Sequence, residues 1–279
     1  MRVTIIGTGL IGGSMAIALK EKGFAQKIIG VDDNKIHEQK ALNIGLVDEV
    51  MDINEAIENA DVIILSVPVD VCVKIISNVL DKVKKQVVFD TGSTKRNVLA
   101  EVEGHENRNR FVATHPMWGT EYSGPEAAEK AAFVNKAVII CDKEKSDADA
   151  VEIVERIYKA LGMHLIYMDA DAHDLHTAYI SHISHITSFA LANTVLEKEK
   201  EEDAIFELAS AGFESTVRLA KSNPAMWVPI FMQNRENVLD VLNEHISQLR
   251  KFKSCLEKEN DKYLLELIEN ANRIQKIIR

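Results

Sequence analysis

The chain is poor in cysteine, with three in 279 residues, at Cys72, Cys141 and Cys255. So few, so widely spaced and odd in number, they build no disulfide framework and no zinc-ligand spacing. Reduced, structural thiols in a cytoplasmic protein are the expectation. Positive charge is also short: 33 Lys and Arg stand against 43 Asp and Glu, a net charge of −10. That balance disfavours nucleic acid or an anionic membrane as partner, although one Arg can still dominate a small anionic pocket. Long apolar runs are missing. The longest, such as residues 62–67, are far too short to span a bilayer. The N-terminus enters a strand at once, without the layout of a signal peptide. No flexible linker, low-complexity tract or internal repeat is visible. What is there, 46% hydrophobic and 27% charged residues, suits a globular protein whose core needs neither disulfide nor metal.

The first half alternates short Val/Ile-rich runs with amphipathic stretches. Residues 3–6, 27–31, 61–67, 86–89, 110–113, 137–141 and 165–168 have strand length and are bounded by turn-forming residues. Residues 14–22, 69–79 and 149–161 read as helices between them. This rhythm predicts a mostly parallel sheet with helices on both faces, and a ligand crevice at the carboxyl ends of its strands. Beyond Asp169 glycine and proline become scarce and no strand is convincing. Residues 171–198 read as one long helix, and 204–211, 224–244 and 261–278 as further helices. Val238, Leu242, Leu249, Phe252 and Leu256 recur as a buried helix face would. A domain boundary is expected at residue 168. The charged run over 197–203 reads as a solvated helix end or loop.

Residues 7–12 read Gly7-Thr8-Gly9-Leu10-Ile11-Gly12, between the first strand and the first helix. Gly7 permits the tight turn, Gly9 lets a pyrophosphate approach the backbone, and Gly12 lets helix and strand pack closely. The helix N-terminus, through the N–H groups around Leu10 and Ile11, suits phosphate. Asp32 closes the second strand 20 residues beyond Gly12, where an acid binds the adenosine ribose. Its charge, with Asp33 beside it, favours NAD over NADP; Lys35 is the one opposing charge. Ser66 and Pro68 end the next central strand beside the expected cofactor. The fold class is therefore α/β: an N-terminal Rossmann doubly wound sheet over residues 1–168, with a C-terminal all-helical domain over 169–279.

Two more strand ends are polar: Asp90-Thr91-Gly92-Ser93-Thr94-Lys95, and Thr114-His115-Pro116-Met117-Trp118-Gly119-Thr120-Glu121. His115 is the best general base, because an imidazole with a pKa of about 6.5 accepts a proton near neutrality. Efficiency is then expected to fall below roughly pH 6–7. A strand-end His satisfied by backbone groups is the plainer alternative. His173, His176, His182 and His185 invite a metal, but on a regular helix His182 and His185 lie about 180° and 120° from His173, on other faces. No metal is expected; one His facing the crevice is. Arg218 can bind a carboxylate in a bidentate manner, although its segment alone reads as a surface helix.

These motifs, with the segments Ser181-His182-Ile183-Ser184-His185, Gly212-Phe213 through Arg218-Leu219-Ala220, and Ser222-Asn223-Pro224-Ala225-Met226-Trp227, occur in the order of the prephenate dehydrogenases. The sequence resembles that family over nearly its whole length. The resemblance implies NAD-dependent oxidative decarboxylation of prephenate to 4-hydroxyphenylpyruvate, or the same step on arogenate. It implies that His115 polarises or deprotonates the ring hydroxyl and that Ser93 helps hold the hydroxyl and nicotinamide. Arg218 would bind a substrate carboxylate, His185 would contact substrate from the helical domain, Glu121 would gate the pocket mouth and Trp227 would wall it. A homodimer through the helical domain is implied too. Ser184 stands where relatives often have Pro, and Ser215 where some have Asp. No regulatory segment is expected after the chain and no chorismate mutase segment before it. A β-hydroxyacid-type dehydrogenase would place a Lys on the first long C-terminal helix, where this chain offers His182 and His185. A non-enzymatic NAD sensor would not need His115 and Arg218 in one pocket.

Overall fold

The computed structural model describes residues 1–200 and 205–277. Strands β1 (Arg2–Ile6), β2 (Lys27–Val31), β3 (Glu49–Val50), β4 (Val62–Leu65), β5 (Val87–Asp90), β6 (Phe111–Pro116), β7 (Ala137–Cys141) and β8 (His164–Met168) form one sheet. Their spatial order is β3-β2-β1-β4-β5-β6-β7-β8. Every neighbouring pair is parallel except β6 with β7. Side chains alternate between two apolar layers. Val3 and Ile5 of β1, and Val62 and Ile64 of β4, enter one layer; Ile6, Ile63 and Leu65 enter the other. Burial on both faces is why these strands read as unbroken apolar runs rather than alternating ones.

Helices α1 (Leu10–Glu21), α2 (Lys35–Asn43), α3 (Ile53–Glu58), α4 (Val69–Leu80), α5 (Arg96–Glu101) and α6 (Ala148–Ala160) cover the sheet. Met15 and Leu19 of α1 and Val154 and Ile157 of α6 pack on one face. Ile57 of α3 and Ile76 and Val79 of α4 pack on the other. The chain runs outward from β1 in both directions, through β2 and through β4, so the crevice lies at the carboxyl ends of those strands. β3, α2, α3 and α5 escape a reading by periodicity. α3 and α5 have six residues each, too few to show a period, and α2 buries only Glu38 and Ala41. β6 runs to Pro116, beyond the expected end at 113, so His115 lies inside the strand, opposite Ile139.

The rest is helical: α7 (Ala170–Thr177), a π-helical segment (Ala178–His182), α8 (Ile183–Glu199), α9 (Ala211–Val217), α10 (Pro224–Gln233), α11 (Arg235–Glu257) and α12 (Asp261–Asn272). The expected helix over 171–198 is thus interrupted by a wider turn. The expected helix over 224–244 breaks at Asn234, whose backbone leaves the helical region at φ −105° and ψ 28°. Residues 201–203 of the charged run and 204 of the expected 204–211 helix lie outside the described residues. Of that helix, Phe206–Leu208 is a 3-10 turn, and α9 starts only at Ala211. Met1–Asn234 and Arg235–Arg279 form two compact units.

The face expected on α11 is corrected. Val238 is buried, but Leu249 and Leu256 are 55% and 68% exposed, while Val241 and Cys255 are buried instead. Apolar spacing alone does not say whether a stripe is covered within its own chain. All three cysteines are buried and free, and burial pushes the Cys141 thiol up to about 12, so it stays protonated near neutrality. Among the described residues no helix is long and apolar enough to cross a membrane.

Candidate active site

The glycine turn follows β1 directly. Gly7 has φ +96°, and a side chain there would lie 2.2 Å from the Ser66 carbonyl oxygen. At Gly12 a side chain would lie 2.0 Å from the Gly7 carbonyl oxygen. Gly9, by contrast, faces open space, with nothing within 4 Å of an added Cβ. It is also the N-cap of α1 and supplies no side-chain cap, so the amides of Leu10 and Ile11 are left for a ligand. The Asp32 carboxylate organises this turn. Its Oδ2 accepts from the Thr8 amide and the Thr8 hydroxyl, both at 2.9 Å, and its Oδ1 accepts from the Asn34 amide at 3.1 Å. Lys35 is turned to Glu38, at 2.8 Å. The Ser66 hydroxyl lies 3.2 Å from that of Thr91, and Pro68 is the N-cap of α4. Open backbone, an uncapped helix start and a carboxylate at the β2 end fit a dinucleotide.

Beyond β5 the chain builds a buried polar floor. The Lys95 ammonium donates to Asp90 Oδ2 and, at 2.7 Å, to the Thr114 carbonyl oxygen. Asp90 Oδ1 accepts from the Thr114 amide at 2.9 Å. The Thr114 hydroxyl meets the Tyr158 hydroxyl at 2.6 Å, and burial pushes the Tyr158 phenol far up. Ser93 is half-buried on the same loop, and its hydroxyl makes no hydrogen bond among the described residues.

His115 stands at the end of β6, beside this floor. Its Nδ1 lies 2.9 Å from His173 Nε2, and His173 Nδ1 lies 2.7 Å from Asp174 Oδ1. Asp174 also accepts the Lys95 amide at 2.8 Å and the Arg96 amide at 3.0 Å, capping the start of α5. Burial holds His115 well below the ordinary His range, and the nearby His173, Lys95 and His182 add to this. Burial also lowers His173, but the Asp174 hydrogen bond opposes it. For Asp174 burial pushes upward, yet the His173 hydrogen bond and the two amides hold it below the ordinary carboxylate range. The downward direction at His115 argues for an acid limit below the expected pH 6–7.

His185 stacks on Trp227, with ring centroids 3.4 Å apart and planes 25° apart. The Trp227 indole nitrogen is buried without a partner among the described residues. Burial lowers His182 to about 4, and the Asn234 amide reaches its Nδ1 at 3.1 Å and the Asp174 carbonyl oxygen at 2.6 Å. Arg218, half exposed, is bound to Glu121 at 2.9 Å. The separation of the histidines onto different faces is wrong for three of them: His173, His182 and His185 are all buried. One extra residue in the π turn rotates everything after it by about 100°. His185 then falls about 20° from His173, and His182 about 80°. His176 alone is exposed. Even so, no three His, Cys, Asp or Glu among the described residues are grouped to hold a metal.

Sequence reasoning named His173 only as part of a possible metal cluster and gave Asp174, Lys95 and Asn234 no role. Their adjacency to other polar residues was visible; the partners, up to 79 positions away, were not. A surface hollow lined by Lys84, Arg110, Asp147 and Asp149 flanks the amino ends of β5 and β6 and holds none of these groups.

Residues 15–167 match the family model described as the prephenate dehydrogenase nucleotide-binding domain. Residues 169–270 match that described as the prephenate dehydrogenase dimerization domain. A prephenate dehydrogenase of Bacillus subtilis is 30% identical over 273 residues, covering 96% of this chain and 74% of the relative. A cyclohexadienyl dehydrogenase of Zymomonas mobilis is 29% identical, covering 97% and 94%. A crystal structure of prephenate dehydrogenase from A. aeolicus, in complex with hydroxyphenyl propionate and NAD+, superposes with a TM-score of 0.89. It is 30% identical and covers 100% of this chain and 98% of that one.

Proposed function

The chain belongs to the prephenate dehydrogenase family, and from that premise we propose that it catalyses NAD-dependent oxidative decarboxylation of prephenate to 4-hydroxyphenylpyruvate. The observation that carries this reading is His115: half-buried, kept neutral by its surroundings and, among the described residues, hydrogen-bonded through Nδ1 alone. That leaves Nε2 to take the proton of a ring hydroxyl.

NAD, when bound, accepts the hydride from the carbinol carbon. Gly7, Gly9, Gly12, the amides of Leu10 and Ile11, Asp32, Ser66 and Pro68 would hold it. Ser93 orients the hydroxyl. His185 and Trp227 form a flat wall for the ring, and the unpartnered indole N–H offers a donor to a substrate oxygen. Arg218 takes a substrate carboxylate in competition with Glu121, which makes that ion pair a gate. Loss of CO₂ aromatises the ring and draws the reaction forward.

A division near residue 168 is supported by the change of family model between 167 and 169. A homodimer through the helical domain is supported by that second model and by exposed Leu239, Leu249, Leu256 and Leu265. Work in the cytoplasm agrees with the reduced, buried cysteines.

The test is NADH formation with prephenate and with arogenate side by side. Prephenate should be the better substrate by kcat/KM. Turnover of arogenate alone would reassign the substrate, and turnover of neither would end the reading.

A further inference from the structure

A carboxylate can only accept hydrogen bonds, and that fixes every proton in the row behind His115. The two oxygens of Asp174 are pinned by the Lys95 and Arg96 amides. Asp174 Oδ1 therefore takes the proton of His173 Nδ1, across 2.7 Å. A neutral His173 then has a bare Nε2, which must accept across the 2.9 Å contact. His115 has to supply that proton from Nδ1, and so its own Nε2 is bare. Asp174 is 1% exposed and His173 0%, so water does not rearrange the row.

We propose that His173 and Asp174 are positioning residues that lock His115 in the tautomer with a bare Nε2 and share the proton it takes up. The proposal rests on the reading of His115 as base to the ring hydroxyl. In the forward step the O–H bond of that hydroxyl breaks and its proton bonds to His115 Nε2. The Nδ1–H bond of His115 breaks, and that proton bonds to His173 Nε2. His115 is again neutral, and the charge rests on His173 beside the Asp174 carboxylate. When the ring has become a phenolate, the same two transfers run in reverse and return the proton to its oxygen.

The surroundings favour this division. Lys95, whose ammonium lies in the floor under β6, opposes positive charge on both rings. His182, from the π-helical segment, adds to that at His115. Asp174 and Asp90 favour positive charge on His173; of the two rings, only His173 has a carboxylate in contact among the described residues. An acid that orients a histidine through the ring nitrogen remote from the reacting one is a known device for fixing its tautomer. Here a second imidazole is interposed between acid and base.

The test uses the full chain labelled with [15N]histidine, with long-range 1H–15N correlation reading which ring nitrogens carry protons. His115→Asn and His173→Gln assign the signals. His115 should be protonated on Nδ1 and bare on Nε2; protonation on Nε2 in the resting protein overturns the proposal. Kinetics supply the second arm. His173→Gln retains a side-chain oxygen to accept from His115 but cannot take its proton, and should lose about tenfold in kcat, whereas His173→Leu keeps neither property and should lose about 10²–10³-fold; an undiminished kcat in His173→Gln would overturn the proton sharing. KM values for prephenate and NAD should move little in both. Equal losses in kcat would show a packing role and overturn the relay. If the unaltered enzyme turned over neither prephenate nor arogenate, the reaction reading would fall, while the tautomer measurement would still decide the hydrogen-bond row.

Discussion

Lys95→Met removes the ammonium that Asp90 holds in the floor beneath His115 while keeping most of the side chain's length. Lys95 and Asp90 are 0% and 1% exposed. The substitution therefore leaves a buried carboxylate that still accepts the Thr114 and Gly92 amides but has lost its countercharge. Breaking a buried pair from one side costs about 3–5 kcal/mol. For a chain of this size each kcal/mol moves Tm by about 2–4 °C, so a fall of about 6–20 °C is expected. Adding Asp90→Asn to Lys95→Met should recover much of the loss near neutrality. Activity gives an independent reading. The Lys95 charge lowers both His115 and His173, so its removal should raise them and move the acid limb of kcat/KM to higher pH. Calorimetry across pH 5–8 and a pH–rate profile on the soluble fraction are the assays. A Tm within about 2 °C of the parent, less than one kcal/mol, together with an unmoved acid limb, would refute the view of this pair as a buried, mutually dependent unit.

Four further outcomes follow from the same geometry. Because the active form of His115 is neutral and burial holds it well below the ordinary value of 6.5, kcat/KM should remain level as pH falls through about 6.5 and decline only below it. His115→Asn should cost about 10²–10⁴-fold in kcat. Arg218→Ala should raise KM for prephenate by about one to two decades, short of the full value of a desolvated pair because Arg218 is half exposed, with NAD affinity unchanged. Lys at 218 should rescue only in part, and an unchanged KM would place the carboxylate elsewhere. Asp32→Ala should reduce the preference for NAD over NADP in kcat/KM. It should also raise KM for both cofactors, because the Thr8 amide and hydroxyl lose their acceptor.

Much of this was legible in the residues. The strands at Val62–Leu65 and Ala137–Cys141 announce themselves because β-branched residues on both faces leave an unbroken run. Gly7, Gly12 and Asp32 were assigned from spacing, and the backbone shows why two of them tolerate no side chain. His173 and Asp174 were out of reach because their meaning comes from β6 and the start of α5, neither adjacent in sequence. The Arg218–Glu121 contact bridges 97 positions and has no local signature. The pairing of His185 with Trp227 was hidden behind an assumption of 3.6 residues per turn. The break at Asn234 was hidden for another reason: Asn is tolerated inside helices, and its distant contacts, with Asp174 and His182 among them, have no local signature.

The π turn at Ala178–His182 makes helix length itself a carrier of information, as a reading frame is. Ile180, within it, is 65% exposed, so its side chain is not needed by the core. Exchanging this residue should be nearly silent, whereas deleting it would restore a regular helix and turn the downstream face by about 100°. His182, His185 and Ser188 would then swing away from Asn234, Trp227 and the Ala220 amide that they meet now. A pocket built in this way is open to change by insertion and deletion at an exposed position outside it, a route of divergence that comparing residues position by position would overlook.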